Sequence, residues 1–237
     1  PDPTRNNQIE FVTIASTGQA ADFGDLQEEG YGYNSGSGNG VRGLFSILST
    51  SADTENNIIN YVTIASTGAA LDFGDLTIGA YARKGNVASP VRSCWAGGVD
   101  GTTPTSRVID YVMISTTGNA ANFGDLTQAS REGTGCSNAV RGFYFSGSGG
   151  TDNQIEAITI ATLGDAFDFG DLTYGAEAAG GGASPTRAIS AGGTDSGGKN
   201  TIDYWQIMTT GNAVDFGDRT VALYGCGVAS NGHGGLG

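Results

Sequence analysis

The feature that most constrains the fold of this chain is a segment that occurs five times along its 237 residues. The copies read IEFVTIASTGQAADFGDL, INYVTIASTGAALDFGDL, IDYVMISTTGNAANFGDL, IEAITIATLGDAFDFGDL and IDYWQIMTTGNAVDFGDR. Each contains an FGD motif, and the motifs lie at residues 23–25, 73–75, 123–125, 169–171 and 216–218. The first isoleucine always precedes the FGD phenylalanine by 14 residues. A segment that tolerates no insertion in five copies is the structural part of a repeating unit.

A second shared element lies between the copies and reads VRGLFSIL, VRSCWAGG, VRGFYFSG and TRAISAGG. Its arginines are Arg42, Arg92, Arg141 and Arg187. The fifth version is the GHGGLG at the end of the sequence, with His233 in the place of the arginine. The distance from each arginine to the next repeat isoleucine varies between 14 and 17 residues, which is typical of a surface loop.

These segments have the patterns of β-strands. YVTIAS and its relatives are short and β-branched and precede a Thr-Gly or Leu-Gly turn, while the AxDFGDL stretch alternates apolar and polar residues. VRGFYFSG is nearly continuously apolar, as expected of a strand covered on both faces and closest to the centre of the fold. Gly-rich segments such as TIGAYARKGNVAS suit an edge strand and its connection. Four strands per unit, repeated about every 47 residues, indicate a β-propeller.

We therefore predict one all-β domain over residues 1–237, a five-bladed β-propeller with four-stranded blades. The sequence begins just before the second strand of a unit and ends with a first strand. Pairing of residues 232–236 with residues 9–15 would complete one blade from both ends and remove the open edge. The alternatives are an open β-solenoid or a sandwich, although a solenoid needs polar caps that the sequence does not show.

The charge of the chain restricts its partners. Eleven Lys and Arg against 24 Asp and Glu give a formal net charge of −13. Such a chain is repelled by nucleic-acid phosphates and by anionic membrane surfaces, so we predict neither partner. No apolar run approaches the length of a spanning helix. The three cysteines, Cys94, Cys136 and Cys226, have no CxxC spacing and are expected to be free thiols.

The repeated acidic residues favour a structural role. We predict that the last aspartates of the FGD motifs occupy equivalent turns and accept hydrogen bonds from backbone N–H groups or from the shared arginines; they are Asp25, Asp75, Asp125, Asp171 and Asp218. A Ca²⁺ role is the alternative, but the motif lacks the ligand density of an EF-hand loop. A catalytic pair needs carboxylates in unlike environments, which symmetric copies do not supply. The sequence therefore predicts no metal and no cofactor.

Glycosidase chemistry is the enzymatic alternative for a five-bladed propeller. It needs two carboxylates near the central funnel, yet the expected innermost strands, GLFSIL, SCWAGG, GFYFSG, AISAGG and GHGGLG, contain no Asp or Glu. His233 has no recognisable nucleophile motif nearby. We predict no enzyme and no catalytic residue. The candidate binding residues are Phe45, Trp95, Tyr144 and His233, of which the aromatic three either stack on sugar rings or pack inside the fold.

The Arg-to-Ile loops are the expected recognition surface. They cover roughly residues 47–57, 97–107, 146–153 and 192–200 and are rich in Ser, Thr, Asn, Asp and Gly. In a four-stranded blade, these loops all emerge on one face. Short polar loops on a rigid scaffold suit binding of sugars or proteins.

The full repeat, (V/T)R…GG…IDYVTIATTGNAxDFGDL, resembles the kelch-like repeat of virion proteins from tailed bacteriophages, especially those of marine cyanobacteria. The glycine pairs Gly97-Gly98 and Gly192-Gly193 match the kelch pattern, whereas the FGD phenylalanine replaces the kelch tryptophan. The resemblance implies a propeller on the virion and no reaction. It implies a tail-fibre, appendage or knob protein that binds host glycans, or alternatively a structural capsid decoration protein. Other virion proteins and further copies of the chain are the expected partners.

Overall fold

The computed structural model of the protein describes residues 6–30, 35–47, 56–83, 85–100, 105–149 and 153–228. All regular secondary structure within these ranges is β-strand, and the strands form five antiparallel sheets. The expected all-β class is therefore confirmed, and four of the sheets have the expected four strands. Across the described ranges, no helix has the length and apolar character needed to cross a membrane.

The five sheets follow one another along the chain. Sheet 1 contains β1 (Asn6–Phe11) and β2 (Ala21–Gly30). Sheet 2 contains β3 (Ser35–Gly38), β4 (Arg42–Ser46), β5 (Asn56–Thr63) and β6 (Leu71–Ala80). Sheet 3 contains β7 (Gly85–Ala88), β8 (Arg92–Ala96), β9 (Val108–Met113) and β10 (Ala121–Asp125). Sheet 4 contains β11 (Thr134–Ser137), β12 (Arg141–Phe145), β13 (Gln154–Thr159) and β14 (Phe167–Asp171). Sheet 5 contains β15 (Gly180–Ala183), β16 (Arg187–Ala191), β17 (Thr201–Gln206) and β18 (Val214–Asp218). Each strand pairs with the next one in its sheet.

The FGD motif forms a β-bulge in the fourth strand of each unit. In sheet 2, Ile59 pairs with Gly74 and Asn60 pairs with Asp72, so Phe73 is the extra residue. The same shift occurs in the other four sheets. The bulge turns the phenylalanine ring into the space between sheets, and Phe73 is buried. Because the bulge must face the same isoleucine each time, the spacing between the two residues cannot change.

The hydrophobic cores lie between consecutive sheets. Phe73 and Leu76 of sheet 2 pack in one cluster with Trp95, Val112 and Ile114 of sheet 3. Equivalent clusters join sheet 1 to sheet 2, sheet 3 to sheet 4 and sheet 4 to sheet 5. Each of the three interior sheets thus buries both of its faces, one against each neighbour. This propeller-like packing differs from a sandwich, in which two sheets share a single core.

The innermost strands are the short Gly-rich ones, and our expectation for them was wrong. β7 contacts both β3 and β11, and β11 also contacts β15. The apolar VRGFYFSG-type segments form the second strand of each four-stranded sheet instead. The reason is close approach at the centre, since a Cβ added to Gly135 would lie 2.3 Å from the backbone oxygen of Asn86. Only glycine allows neighbouring strands to pack that closely.

The two ends of the array leave their faces uncovered within the described residues. Phe216 of sheet 5 is 62% exposed, whereas its four equivalents are at most 9% exposed. Just after β1 of sheet 1, Val12 and Ile14 are also exposed. Residues 226–228 lie beside β15, where the Val228 side chain approaches Gly180 and Gly182. The predicted pairing of residues 232–236 with the first strand lies outside the described residues.

Candidate functional site

The repeated arginines connect sheets through backbone carbonyls. In three of the four, the guanidinium Nη1 donates to an isoleucine carbonyl in the following sheet, over the pairs Arg42–Ile114 at 3.0 Å, Arg92–Ile160 at 3.0 Å and Arg141–Ile207 at 2.8 Å. The Arg92 guanidinium also lies 5.0 Å from the centre of the Tyr111 ring. The expected pairing of these arginines with the FGD aspartates was therefore wrong. A carbonyl at the edge of the next sheet is the nearer acceptor.

The FGD aspartates lie within strands, not in turns as expected. Their main chains make the connections: the carbonyl of Asp75 accepts the Ala120 N–H at 2.7 Å, and that of Asp171 accepts the Ala213 N–H at 2.8 Å. Asp25 and Asp125 use their carbonyls in the same way. Within the described residues, none of the five carboxylates accepts a hydrogen bond. The repeat needs this backbone geometry at the bulge, and the five aspartates are exposed or half-buried.

A different set of repeated acidic residues is buried between the sheets. Asp203 accepts hydrogen bonds from the Thr173 N–H at 2.7 Å and from the Thr173 hydroxyl at 2.7 Å. Asp110 does the same for Thr77, and Glu156 for Thr127. Burial raises the pKa of Asp110, while the Thr77 hydrogen bonds and the Arg83 charge oppose that rise. These carboxylates replace missing backbone partners between sheets, so their role is structural.

The aromatic binding candidates are core residues. Trp95 and Tyr144 are fully buried, and Phe45 packs against the core between sheets 1 and 2. Trp95 and Tyr144 therefore cannot stack on a sugar ring at the surface, and Phe45 is half-buried. His233, the fourth candidate, lies outside the described residues. Cys94 and Cys136 are buried free thiols, and burial raises the pKa of Cys94 to about 12.

A pocket of about 500 Å³ opens where the innermost strands begin. We call this end of the sheets the pocket end and the pocket itself the axial pocket. The polar side chains along its wall are Ser35, Arg83, Glu132, Thr134, Glu177, Thr194 and Tyr224. Glycine and alanine residues supply much of the rest of the pocket wall. The lining combines residues from sheet 2 at one end of the array with residues that follow sheet 5 at the other.

A chain of backbone hydrogen bonds runs around the axial pocket. Four residues that precede the innermost strands have left-handed backbones, with φ between 47° and 66°: Ala82, Glu132, Ala178 and Gly225. The Glu132 N–H donates to the Ala82 carbonyl, the Ala178 N–H to the Glu132 carbonyl and the Gly225 N–H to the Ala178 carbonyl, at 2.8–2.9 Å. These bonds hold the pocket wall rigid and present Glu132 at its rim. The equivalent Gly32 lies outside the described residues.

Arg83 is the charged group buried deepest in this wall. Its Nη2 donates to the Ile78 carbonyl at 2.8 Å, and its Nη1 approaches the Gly97 carbonyl at 3.4 Å. The Arg83 Nε has no hydrogen-bond partner among the described residues. Burial lowers the pKa of Arg83 to about 10, and the Asp110 charge opposes that shift. The guanidinium is therefore still charged at neutral pH.

The Arg-to-Ile loops emerge at the pocket end, but they are partly built into the fold. Val99 pairs with Tyr81, Ser148 with Arg131, and Thr194 with Glu177, each through two backbone hydrogen bonds of 2.8–3.0 Å. Only the loop tips are free to vary, and residues 48–55, 101–104 and 150–152 lie outside the described residues. Replacing whole loops would therefore disturb the sheets.

Sequence reasoning missed Glu132, Glu177 and Arg83 because it assigned the wrong innermost strands. The acid-free funnel expected from the VRGFYFSG-type segments does not line the pocket. The sequence did contain a sign of this site. Ala82, Glu132 and Ala178 occupy equivalent positions just before the Gly-rich strands, and only Glu132 is charged. Departures from a repeat at its centre indicate a site better than the repeated residues do.

Comparison with known proteins supports the fold alone. No protein-family model matches the sequence, and no curated protein matches it. Solved structures do match. The structure of YjhT superposes with a TM-score of 0.72 and 9% identity, covering 88% of this chain and 77% of that one. At this identity the likeness concerns the all-β, propeller-like architecture, and a fold shared with 184 matching chains does not specify a function.

Proposed function

We propose that the five sheets are the blades of one propeller, closed between sheet 5 and sheet 1. Ser35 and Cys226, from opposite ends of the array, line the same pocket. Phe216 and Val12 are exposed, while their equivalents in the interior sheets pack against each other. Sheet 1 contains the third and fourth strands of a unit, so in a closed ring the chain's C-terminal residues supply its inner strands.

The function we propose is non-enzymatic recognition of a host-surface glycan by a virion protein, such as a tail-fibre, appendage or knob propeller. The observation that carries the proposal is the axial pocket at the pocket end, where the variable loops also emerge. A pocket of about 500 Å³ accommodates one or two sugar rings. The virion location rests on the resemblance of the repeat, which also supports other virion proteins as partners.

The pocket chemistry favours a neutral sugar. The carboxylates of Glu132 and Glu177 line the pocket and can each accept hydrogen bonds from adjacent sugar hydroxyls. Two carboxylates and a net charge of −13 disfavour acidic sugars and polyanions. The same charge disfavours nucleic acid and anionic membranes.

A glycan array and adsorption to host cells test this proposal with matched variants. Glu132→Ala and Glu177→Ala should each weaken glycan binding about tenfold or more, because a charge-assisted hydrogen bond contributes roughly 1.5–3 kcal/mol. Glu28→Ala removes an exposed carboxylate that does not line the pocket and should bind normally. Binding that survives both pocket variants would contradict the assignment. Release of reducing sugar from a bound glycan would contradict the non-enzymatic part, since paired carboxylates also serve glycosidases.

A structural capsid decoration protein without a receptor role is the second candidate. The observation that favours it is the apolar surface at the end of the sheets opposite the pocket, where valines, leucines and methionines are exposed. This alternative predicts no glycan binding by the wild-type protein and a fixed position on the capsid. A density map of the intact virion would distinguish head from tail.

A further inference from the structure

The end of the sheets opposite the axial pocket exposes a repeated set of large apolar side chains. We call it the arginine end, because Arg42, Arg92, Arg141 and Arg187 start their strands there. The exposed apolar residues at this end include Val41, Leu71, Val91, Met113, Val140, Leu163, Phe167, Met208 and Val214. All nine are more than one third exposed, and Val41 reaches 62%.

These side chains are carried by turns that are bonded to their neighbours. Of the turns nearest the centre, two neighbouring pairs are connected, since the Asn39 side chain donates to the Pro90 carbonyl and the Asn138 side chain to the Pro185 carbonyl, both at 2.9 Å. Each central turn is also bonded to its outer neighbour. The Val91 carbonyl, for example, accepts the Ile114 N–H at 2.9 Å. The surface is therefore held in shape before any partner arrives, which lowers the cost of association.

Charge at the arginine end is nearly balanced. Its exposed acidic groups are Glu10, Asp22, Asp72, Asp165, Asp168 and Asp215, and four arginines oppose them. No lysine or glutamate occurs in the described turns of this end. Most of the formal net charge of −13 is therefore carried by other residues. Two copies of the chain repel each other through most of their surfaces but not through this end.

We propose that the arginine end binds a second copy of this chain face to face. The same turns recur in successive repeats, so two copies related by a two-fold axis bring the apolar residues of several repeats together at once. A stable interface needs about 20–30 residues on each side, and the turns of four repeats supply that number. Val41, Val91 and Val140 form the centre of the contact, and the outer aspartates remain at its solvated rim. The axial pockets of both copies then face outward and stay accessible.

Sedimentation velocity of the full chain tests this interface directly. The wild-type protein should sediment with twice the chain mass of 24.0 kDa at micromolar concentrations. Val91→Glu places a carboxylate from each copy at the contact centre, and it should raise the dissociation constant roughly a hundredfold or more. Since the Val91 side chain is exposed, this variant should have the same melting temperature as the wild-type protein. Ser196→Glu adds the same charge at the pocket end and should leave the dimer intact.

Three results would overturn the proposal. The first is a wild-type monomer throughout the micromolar range, which would leave the apolar end to a different protein. The second is a dimer that Val91→Glu does not weaken. The third is a ladder of larger species that survives Val91→Glu but disappears in Phe216→Glu, which would place the contact between sheet 5 of one copy and sheet 1 of the next.

Discussion

At the scale of single residues, buried carboxylates connect neighbouring sheets. Asp203 accepts from both the backbone N–H and the hydroxyl of Thr173, and the pair lies between sheet 4 and sheet 5. In sheet 2 the equivalent residue is Asn60, whose side-chain oxygen accepts the Gln27 N–H at 2.8 Å. Geometry therefore matters more than charge at this position. An acceptor oxygen is what all the copies share.

Removing the Thr173 hydroxyl should destabilise the protein. Thr173→Val keeps the shape of the side chain but leaves the Asp203 carboxylate with one bond fewer in a buried site. We expect the free energy of unfolding to fall by about 1.5–3 kcal/mol, the usual value for a hydrogen bond to a charged group. Urea denaturation measures it. Thr162→Val, at an exposed turn residue, is the control and should change stability by less than about 0.5 kcal/mol. Equal effects from the two variants would contradict a special role for Thr173.

The raised pKa of Asp110 gives a pH dependence with a definite sign. Burial raises this pKa above its ordinary value of 3.8, so the folded protein binds the proton more readily than the unfolded chain does. The resulting destabilisation is present above the folded pKa and is lost as the pH falls towards 3.8. Relative to Asp110→Asn, the wild-type protein should therefore gain stability on acidification from neutral pH. Urea denaturation of both proteins across this range measures the difference. A relative loss would mean that the pKa of Asp110 is lowered.

At the scale of elements, each unit is joined to the next by main-chain geometry at both ends of the repeat segment. The FGD bulge exposes carbonyls to the turn of the following sheet, and the Phe73 carbonyl accepts the Gly118 N–H at 2.7 Å. The arginine that starts the second strand reaches further and binds a carbonyl beyond that turn. The first contact depends on the register of the bulged strand, which explains why the spacing from the isoleucine to the FGD motif is fixed.

The arginine contact can be tested in the middle of the array. Arg92→Ala removes a hydrogen bond to the Ile160 carbonyl and the stacking on Tyr111, so we expect a loss of about 2–3 kcal/mol. Arg92→Lys should recover part of this, because lysine keeps the charge but lacks the planar fork. Thermal and urea unfolding measure both. If Arg92→Ala and Arg92→Lys both lower the free energy of unfolding only slightly, the guanidinium does not connect the sheets.

At the scale of the whole molecule, closure of the ring decides whether the end sheets are covered. Gly170 and Gly217 are equivalent bulge glycines with φ of 149° and 137°. A Cβ on Gly170 would lie 2.4 Å from the Gly211 carbonyl oxygen, whereas the same atom on Gly217 meets open space. In a closed ring, Gly18 would take the place of Gly211. The two glycines would then be equally intolerant of a side chain.

Three alanine variants separate this contact from backbone strain. Gly164 also has a φ of 149° but no neighbour within 4 Å, so Gly164→Ala reports the strain alone. In a closed ring, Gly217→Ala should destabilise as much as Gly170→Ala and clearly more than Gly164→Ala, by about 1–3 kcal/mol. Urea unfolding of the three variants provides the comparison. If Gly217→Ala destabilises the protein no more than Gly164→Ala does, the array is open.

The sequence by itself determined the repeat, the all-β class and the strands of each unit. Fixed spacing from isoleucine to FGD required a fixed strand register, and the observed bulge follows from it. The sequence also identified the variable loops, which emerge at the pocket end. These features are local, because strand period, turn residues and insertions depend on neighbours along the chain.

Only the tertiary structure decided which strand is innermost and which side chains meet across sheets. Apolar content suggested VRGFYFSG, but backbone crowding at the centre selects glycine, and hydrophobicity does not measure crowding. From the sequence, Arg92 could have bound either an aspartate or a backbone carbonyl. In the structure its side chain extends into the next sheet and binds the Ile160 carbonyl. Glu132 and Glu177 belong to different units and share a pocket only because their sheets pack side by side. Contacts between units depend on how the units are arranged in space, which no single repeat encodes.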